Sequence, residues 1–594
     1  MAHNVVISEN GVYCKDGARL SDRSGRKMLP IGNDDFITVA QNSIFVDKTM
    51  LIADVLNSGS VATLFCRPRR FGKSLNLSML QRFFEIPSPD DPAAIDTSSL
   101  FEGLAIWSAE DGRYRAHHAS YPVIRFSFND VKALTWRDAF RAIRSKMASE
   151  YRRHYYLADS PNLSDAEKAQ VEQVSYDQFN DLPLGRSLMV LSDLLFKHHG
   201  KRCVILIDEY DAPVMAGHTN GYYREAVSFI KGWLTGALKG NSSLAFAVLT
   251  GVQRISKESI FSDLNNLTVN TALNVASDER YGFTQDEVRA LACYLASEDD
   301  LQEVRYWYDG YRFGNIDAYN PWSVLNYFQN HGVPDVYWGN TSSNSVLGEL
   351  IASTEEATQE QLYTLMEPNG VVEETLDLSV TFPDEPGVDT HALWSMLYLA
   401  GYLTTDDTEL PNSRRRVRPL RIPNQEIREL YRTEIVDRFT RAMGSSGRLL
   451  RLHQAFIEGN VEVVKAELEK VLLDSASSFD LVRENSYHML VLGLMFGMRE
   501  YEDPRSNREA GYGRYDVRVK PCDPNRDPLL IIELKCAAGV ASDTESLKIL
   551  AAQALQQTDA SRYESGVTIG KAGIRRWGLA FSGKHIAVDT RTSL

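Results

Sequence analysis

Three groups of residues in this 594-residue chain have the types and spacing for phosphate chemistry. The first is Arg67-Pro68-Arg69-Arg70-Phe71-Gly72-Lys73-Ser74, after an apolar run over 61–65 and before a helical pattern over 75–85. Strand, tight loop ending in Gly-Lys-Ser, then helix is the context of a phosphate-binding loop, because successive N–H groups converge there on an anion. Lys73 would meet the β- and γ-phosphates of a nucleotide as a point charge, and Ser74 would offer a hydroxyl to Mg²⁺. The general pattern G-x-x-x-x-G-K-[ST] has glycine where this chain has Arg67. Glycine turns through positive φ at no steric cost and arginine does not. A helix N-terminus capped by Ser74, with a solvated lysine, explains the same stretch.

The second group is Cys203-Val204-Ile205-Leu206-Ile207-Asp208-Glu209-Tyr210-Asp211. An apolar run without alternation predicts a strand buried on both faces, as in a parallel sheet covered by helices. Acids at the carboxyl end of such a strand lie in the crevice where α/β sheets bind ligands. Asp208 would hold Mg²⁺ directly or through water, and Glu209 would orient or deprotonate an attacking water. An aspartate capping the next helix is the plainer alternative. A further strand over 244–249 runs into Thr250-Gly251-Val252-Gln253-Arg254. Thr250, ending the strand beside the acidic one, is placed to sense a γ-phosphate. Arg254 either reaches transferred phosphate charge or pairs with an acid.

The third group lies in the tail. Gly513-Arg514-Tyr515-Asp516-Val517-Arg518-Val519 reads as a strand, 521–528 as a turn, and Leu529-Leu530-Ile531-Ile532-Glu533-Leu534-Lys535 as a second strand. Antiparallel pairing would bring Asp516, Glu533 and Lys535 to one end. Period-two alternation puts Glu533 and Lys535 on one face and turns Leu534 inward. Asp516 and Glu533, helped by the Leu534 carbonyl, would bind a hard divalent cation through oxygen. The cation would acidify a bound water, which Lys535 would position while offsetting phosphate charge. A solvated strand pair with a cross-strand ion pair is the bland alternative.

The elements between these groups must position them. Residues 1–28 read as a polar tail or short hairpin, and Asp47 and Thr49 as helix caps ahead of the loop. A β-rich run over 121–128 and helical patterns over 134–156 and 184–199, the latter after Pro183, lie between loop and acids. Tyr306, Trp307, Tyr308, Tyr311, Phe313, Tyr319 and Trp322 would suit stacking of single strands, but the core of a helical subdomain is the favoured reading. Residues 345–475 read as helical hairpins, strongly apolar over 393–403. Arg414-Arg415-Arg416-Val417-Arg418 is either a solvated loop or a phosphate-neutralising run.

Composition narrows the classes. Hydrophobic content of 43% and charged content of 24% are ordinary for globular protein, and the length suggests three to five domains. A net charge of -15 supplies no global field for nucleic acid, so such binding needs a local basic patch. Six dispersed cysteines without C-x-x-C argue against zinc and against a disulfide framework. No basic segment followed by an apolar run opens the chain, and the longest apolar stretch, near 489–498, is too short for a bilayer. A cytoplasmic location with no membrane partner is expected.

The stretch from Arg67 to Leu75 resembles the modified phosphate loop of the bacterial and archaeal AAA-ATPase-like family. So do Val46-Asp47-Lys48-Thr49, Ile207-Asp208-Glu209-Tyr210-Asp211, and the run from Thr250-Gly251-Val252-Gln253-Arg254-Ile255 to Ser262. Tyr281-Gly282-Phe283-Thr284 and Trp307-Tyr308-Asp309-Gly310-Tyr311 extend the similarity, which covers 28–345. It implies an ATP and Mg²⁺ site formed by Arg69, Arg70, Phe71, Gly72, Lys73, Ser74, Leu75, Thr250 and Arg254, with Ser74 and Asp208 on the metal.

The tail resembles the PD-(D/E)XK phosphodiesterase superfamily, whose core motif is an Asp, a spacer, then Glu-x-Lys. Glu484-Asn485-Ser486-Tyr487-His488, Ser506-Asn507-Arg508-Glu509, Gly511-Tyr512-Gly513-Arg514, Ala552-Gln553-Ala554-Leu555-Gln556-Gln557, Tyr563 and Phe581-Ser582-Gly583-Lys584 fit the same order of elements. Glu484 becomes a candidate further ligand, and Gln553 a candidate for phosphate or water.

Together these readings predict an α/β protein: a P-loop NTPase parallel sheet with helical lid and connector, plus a C-terminal PD-(D/E)XK nuclease-like α/β domain. The expected boundaries are 1–28 tail, 29–270 core, 271–345 lid, 346–475 connector and 476–594 nuclease-like domain. The expected activity is ATP-coupled, metal-dependent cleavage of nucleic acid, DNA before RNA, by a monomer or homo-oligomer. A nucleotide-dependent switch or scaffold that binds nucleic acid without cutting it is the alternative, and a regulator with neither activity strong is a third.

Overall fold

Apolar segments that lack alternation become the strands of one parallel sheet. They are β1 (Ala62–Cys66), β2 (Val123–Ser127), β3 (Cys203–Asp208), β4 (Leu244–Gly251) and β5 (Leu267–Asn270). Their order is β2-β3-β4-β1-β5, with every pairing parallel. This computed structural model describes residues 6–7, 11–87, 96–180, 182–255, 266–339, 347, 356–367, 369–377, 390–407, 417–474, 484–510, 513–537, 544–560 and 563–593.

Every residue of β1 and β3 is buried, as a sheet covered on both faces requires. Alternate residues Leu64, Phe126, Ile205 and Leu249 pack with Ile143 and Met147 of helix Trp136–Arg153, Leu188 and Leu191 of Leu184–His199, and Ile230 and Trp233 of Tyr223–Leu238. Helix α1, Lys73–Phe84, follows the loop and sets Phe84 against Phe246 of β4 at 5.2 Å. Pro183 is the N-cap of Leu184–His199, the start signal read from the sequence.

Residues expected to be a tail or short hairpin build part of a sheet. Val12–Lys15 and Ala18–Ser21 pair as a hairpin, flanked by Val6–Ile7 and Phe45–Val46. Tyr13, Leu20 and Val46 join Val288, Leu291, Val304, Tyr308 and Tyr327 in a second core. The aromatic run is core too. Tyr308, Tyr311, Phe313 and Tyr319 are buried, and Tyr306 alone of the seven is well exposed, at 63%. Asp47 and Thr49 serve as fasteners: Asp47 accepts from Thr49 N (2.9 Å) and Ala105 N (2.7 Å), and Thr49 Oγ1 accepts from Ile106 N (3.2 Å).

The chain divides into two units, 1–341 with 373–426, and 342–372 with 427–594. Residues 346–475, expected to form a helical connector, are therefore shared between them. They contain helices Glu356–Met366, Thr390–Ala400, Gln425–Met443, Ser446–Glu458 and Val461–Asp474, and also a strand pair, Val372–Thr375 with Val417–Leu420. Of the basic run, Arg414 to Arg416 lie outside the described residues. Arg418 is buried and ion-paired with Asp407 at 3.2 Å, so it is no phosphate-facing surface.

The second unit carries a five-stranded mixed sheet, β6 (Arg505–Ala510), β7 (Gly513–Val519), β8 (Leu529–Cys536), β9 (Ile574–Ser582) and β10 (His585–Ser593), in sequential order. Its one parallel pair is β8 with β9, and helix α2, Thr544–Ala560, makes the crossover that such a pair demands. No described helix is long and apolar enough to cross a membrane.

The edge strand β2 is tied to its covering helix by charge. Glu150 accepts from Arg125 N at 2.9 Å and pairs with Arg153, which also bonds Glu85 and Val123 O. Burial alone would raise the Glu150 carboxyl, but Arg153 and His154 outweigh it and hold the pKa at about 2, below its ordinary 4.5. A depressed carboxylate contributes stability that is fully present above about pH 4.5 and lost as pH falls toward 2. Glu150→Gln is therefore expected to lower unfolding free energy near pH 6 by ~3 kcal/mol. Denaturant titrations of wild type and variant should converge as pH drops from 4.5 to 2; a gap independent of pH would contradict the assignment.

Candidate functional site

The first candidate site forms where β1 ends and α1 begins. Arg67 does not adopt the left-handed backbone that a glycine there would allow; Arg70 (φ 68°) and Gly72 (φ 79°) do. The misfit expected at Arg67 is thus absent, because the loop turns three residues later. Arg67 is an anchor, 1% exposed. Its guanidinium donates to Cys66 O (2.9 Å), Asn270 O (3.2 Å) and Asn270 Oδ1 (2.7 Å), and lies 5.2 Å from the ring centroids of Tyr281 and Phe313.

Lys73 reaches back across the loop, donating from Nζ to Arg67 O (3.0 Å) and Pro68 O (2.7 Å). Burial lowers its pKa, against the pull of Asp208, Asp211 and Glu209. Phe71 packs 5.0 Å from Tyr311 and 5.1 Å from Phe313, so its side chain holds the loop and leaves only its backbone available to a ligand. Arg69 is exposed and Leu75 half-buried. Gly401 (φ 94°), just past helix Thr390–Ala400, sits so close to the loop that an added Cβ would lie 2.8 Å from Pro68 Cβ.

Asp208 ends β3 and collects the hydroxyls of its neighbours. Ser74 Oγ donates to Oδ2 at 2.6 Å, and Thr250 Oγ1, at the end of β4, donates to Oδ1. Beside it Glu209 is half-buried in a left-handed conformation (φ 50°). Burial and then Asp208 raise its pKa, while Lys132 opposes them. Asp211, at the N-cap of helix Ala212–Asn220, makes no side-chain bond to that helix; it accepts from Val252 N (3.0 Å) and Gln253 N (2.7 Å). Capping therefore does not explain these acids. Arg254 is half-buried just beyond β4, and the family-like run from Ser256 to Ser262 lies outside the described residues.

The second candidate site sits where β7 and β8 part. Their pairing runs from Val519–Leu530 to Val517–Ile532, so Asp516 and Glu533 are the next residues beyond the ladder. Asp516 Oδ2 accepts from Leu534 N at 2.7 Å. Burial raises the Asp516 pKa, opposed by that N–H and by the charges of His488 and Lys535. Glu533 is 3% exposed. Gln557 of α2 bridges Glu533 and Lys535: its Nε2 donates to Glu533 Oε1, and its Oε1 accepts from Lys535 Nζ at 2.9 Å. Glu533 and Lys535 thus share one face, as alternation predicts. Tyr563 Oη lies 3.3 Å from Gln557 Nε2. From helix Glu484–Leu494, His488 Nε2 lies 2.9 Å from Asp516 O and 3.0 Å from Ser506 Oγ; the carbonyl accepts only, so this nitrogen carries the proton.

Gln553, the glutamine singled out from sequence, is exposed. Gln557, one turn on, takes the central place. The buried stripe of α2 runs through Leu547, Ala551, Ala554, Leu555 and Thr558, and Gln557 borders that stripe more closely than Gln553 does. The stripe was readable in the sequence; Tyr563 and His488 carried only family likeness. The side chain of Glu484 lies outside the described residues. Tyr487, beside it, stacks on Phe581 at 4.6 Å and donates to Gly583 O at 2.9 Å.

The donor sets fit hard cations. Ser74 hydroxyl with Asp208, and Asp516 with Glu533, offer only oxygen. Among the described residues no three His, Cys, Asp or Glu side chains form a metal-holding group. Two carboxylates completed by substrate phosphate oxygens is a pattern that suits Mg²⁺.

Residues 30–261 match the family model described as predicted AAA-ATPase, AAA-ATPase-like, and residues 482–591 match that of the PD-(D/E)XK nuclease superfamily. An uncharacterized protein in the vnfD 5' region of Azotobacter chroococcum mcd 1 is 28% identical over 413 residues, 68% of this chain and 69% of its own. Both matched segments fall on the two sheets that hold the clustered acids. The chain therefore carries an AAA-ATPase-like domain and, at its C-terminal end, a PD-(D/E)XK nuclease superfamily domain.

Proposed function

We propose that this protein binds ATP with Mg²⁺ at the 67–75 loop and cleaves nucleic acid, DNA before RNA, at Asp516, Glu533 and Lys535. The observation that carries the reading is Asp516 Oδ2 at 2.7 Å from Leu534 N, which sets one acid against the residue next to the other. Asp516 and Glu533 would hold the divalent cation, which supplies a more acidic water and charge neutralisation when bound. Lys535 offsets phosphate charge, and Gln557, bonded to both Lys535 and Glu533, fixes their rotamers. In the first unit, Ser74 and Asp208 would share Mg²⁺, Lys73 would exchange its two loop carbonyls for phosphate oxygens, and Glu209 would orient water.

A second reading rests on Lys73 and Arg67. A loop whose lysine bonds its own carbonyls and whose first position is a buried arginine also suits a nucleotide-dependent switch that binds nucleic acid without cutting it. Turnover separates the two readings.

Wild-type protein with Mg²⁺ is expected to nick plasmid DNA, and Asp516→Ala to reduce nicking to background. Nicking that survives Asp516→Ala, or that persists in excess EDTA, would remove the nuclease assignment. Gln557→Ala, which touches neither metal nor phosphate, is expected to cost roughly 10- to 100-fold in rate, with binding of uncleaved DNA little changed. Lys73→Ala should weaken binding of a fluorescent ATP analogue with Mg²⁺ by roughly 10- to 100-fold, the cost of a charge-assisted contact. Equal affinity in the two proteins would refute the loop assignment.

A further inference from the structure

The loop step Arg69-Arg70 is fastened to a corner of the first unit that neither reaction above uses. Arg70 is held in a left-handed backbone conformation, and its guanidinium lies 3.9 Å from the Trp322 ring centroid. Its Nη1 is buried with no hydrogen-bond partner among the described residues. Burial draws its pKa down to about 10, and the charge of Glu426 works against that fall. Such an N–H is costly unless a further acceptor can reach it.

The corner is knit by one carboxylate. Ser323, next to Trp322, donates its hydroxyl to both oxygens of Glu426, at 2.9 and 2.8 Å. Trp338 N donates to Glu426 Oε1 at 2.8 Å, and the same tryptophan's Nε1 donates to Arg69 O at 3.2 Å. Glu426, in the first turn of helix Gln425–Met443, is fully buried. Burial pushes its pKa up to about 7, and the hydroxyl and amide donors, with Arg70, pull it back. Neutral donors alone would be served by a glutamine without the desolvation cost of a carboxylate. Among the described residues, Arg70 is the cation whose charge acts on this carboxylate.

We propose that Glu426 is a positioning residue for the nucleotide loop, one that competes with the nucleotide's phosphates for the Arg70 guanidinium. This rests on the nucleotide reading of the loop. Arg70 then has two stations. On the Trp322 face it is held by the ring and by the charge of Glu426. In the second, the guanidinium leaves the ring and gives its Nη1, buried without an acceptor among the described residues, a phosphate oxygen instead. Phosphate binding must overcome the first station, so Glu426 lowers apparent affinity and makes the loop respond to the charge of the bound nucleotide.

The test is a double-mutant cycle on the full chain, read by binding of a fluorescent ATP analogue with Mg²⁺. Glu426→Gln keeps an acceptor for Ser323 and Trp338 and removes the charge. It should tighten binding by roughly fivefold or more. Arg70→Ala should weaken binding, and in that background Glu426→Gln should change nothing. Equal effects of Glu426→Gln in the two backgrounds, or weaker binding in the presence of Arg70, overturn the proposal. If Glu426→Gln does not fold by thermal melting, Trp322→Leu serves instead, with tightening expected only when Arg70 is present and its absence equally decisive. Lys73→Ala is measured alongside. Unchanged binding there defeats the nucleotide reading itself, whereas loss of binding with an additive cycle defeats this inference alone.

Discussion

The first unit depends on where Asp208 sits. The strand order places β4 between the loop strand β1 and the acidic strand β3, so the carboxyl ends of all three are neighbours. Asp208 can then accept from Ser74 at the start of α1 and from Thr250 at the end of β4 at once. A buried carboxylate is tolerable only with such partners. The same geometry leaves oxygen donors grouped where a cation and phosphates would meet them. Asp211 reinforces it by accepting two N–H groups just after β4, which fixes the mutual height of β3 and β4.

The second unit reaches a comparable arrangement by a different route. There the acids come from two antiparallel strands that separate just past Val517–Ile532. The parting frees Leu534 N from the ladder, and Asp516 takes it as a partner. A crossover helix is forced by the parallel pairing of β8 with β9, and that helix delivers Gln557 to Glu533 and Lys535. Topology thus supplies the side chain that orients the lysine.

Much of this was legible because it depends on local pattern. The apolar run 203–207 without alternation predicted a strand covered on both faces, and every residue of β3 is buried. Glu533 and Lys535 had to share a face because strand side chains repeat every two residues. The limits of β7 could be read from residues 513–519 alone, and the fold of both sheets followed. Other features were illegible for equally physical reasons. Nothing local says that Arg67 keeps negative φ while Arg70 turns left-handed, since that depends on Asn270, Tyr281 and Phe313, more than two hundred residues away. The stretch 1–28 read as a tail or a short hairpin; the hairpin at 12–21 forms, but its place in a four-stranded sheet was hidden because its apolar face is completed by helices of another segment.

What the sequence determined by itself was chemistry and periodicity: which residues can carry charge or hold an oxygen-loving cation, and which elements present them on one side. Tertiary structure alone decided their partners. Gln557 rather than Gln553 reaches Glu533 and Lys535, with Ala551 and Leu555 of α2 packed against Gly578 of β9. Glu426 shares a corner with the loop's Arg70 because Trp322, Ser323 and Trp338 fold together there. Periodicity is a property of consecutive residues, whereas a contact between distant ones depends on the whole core closing, and no short stretch encodes that.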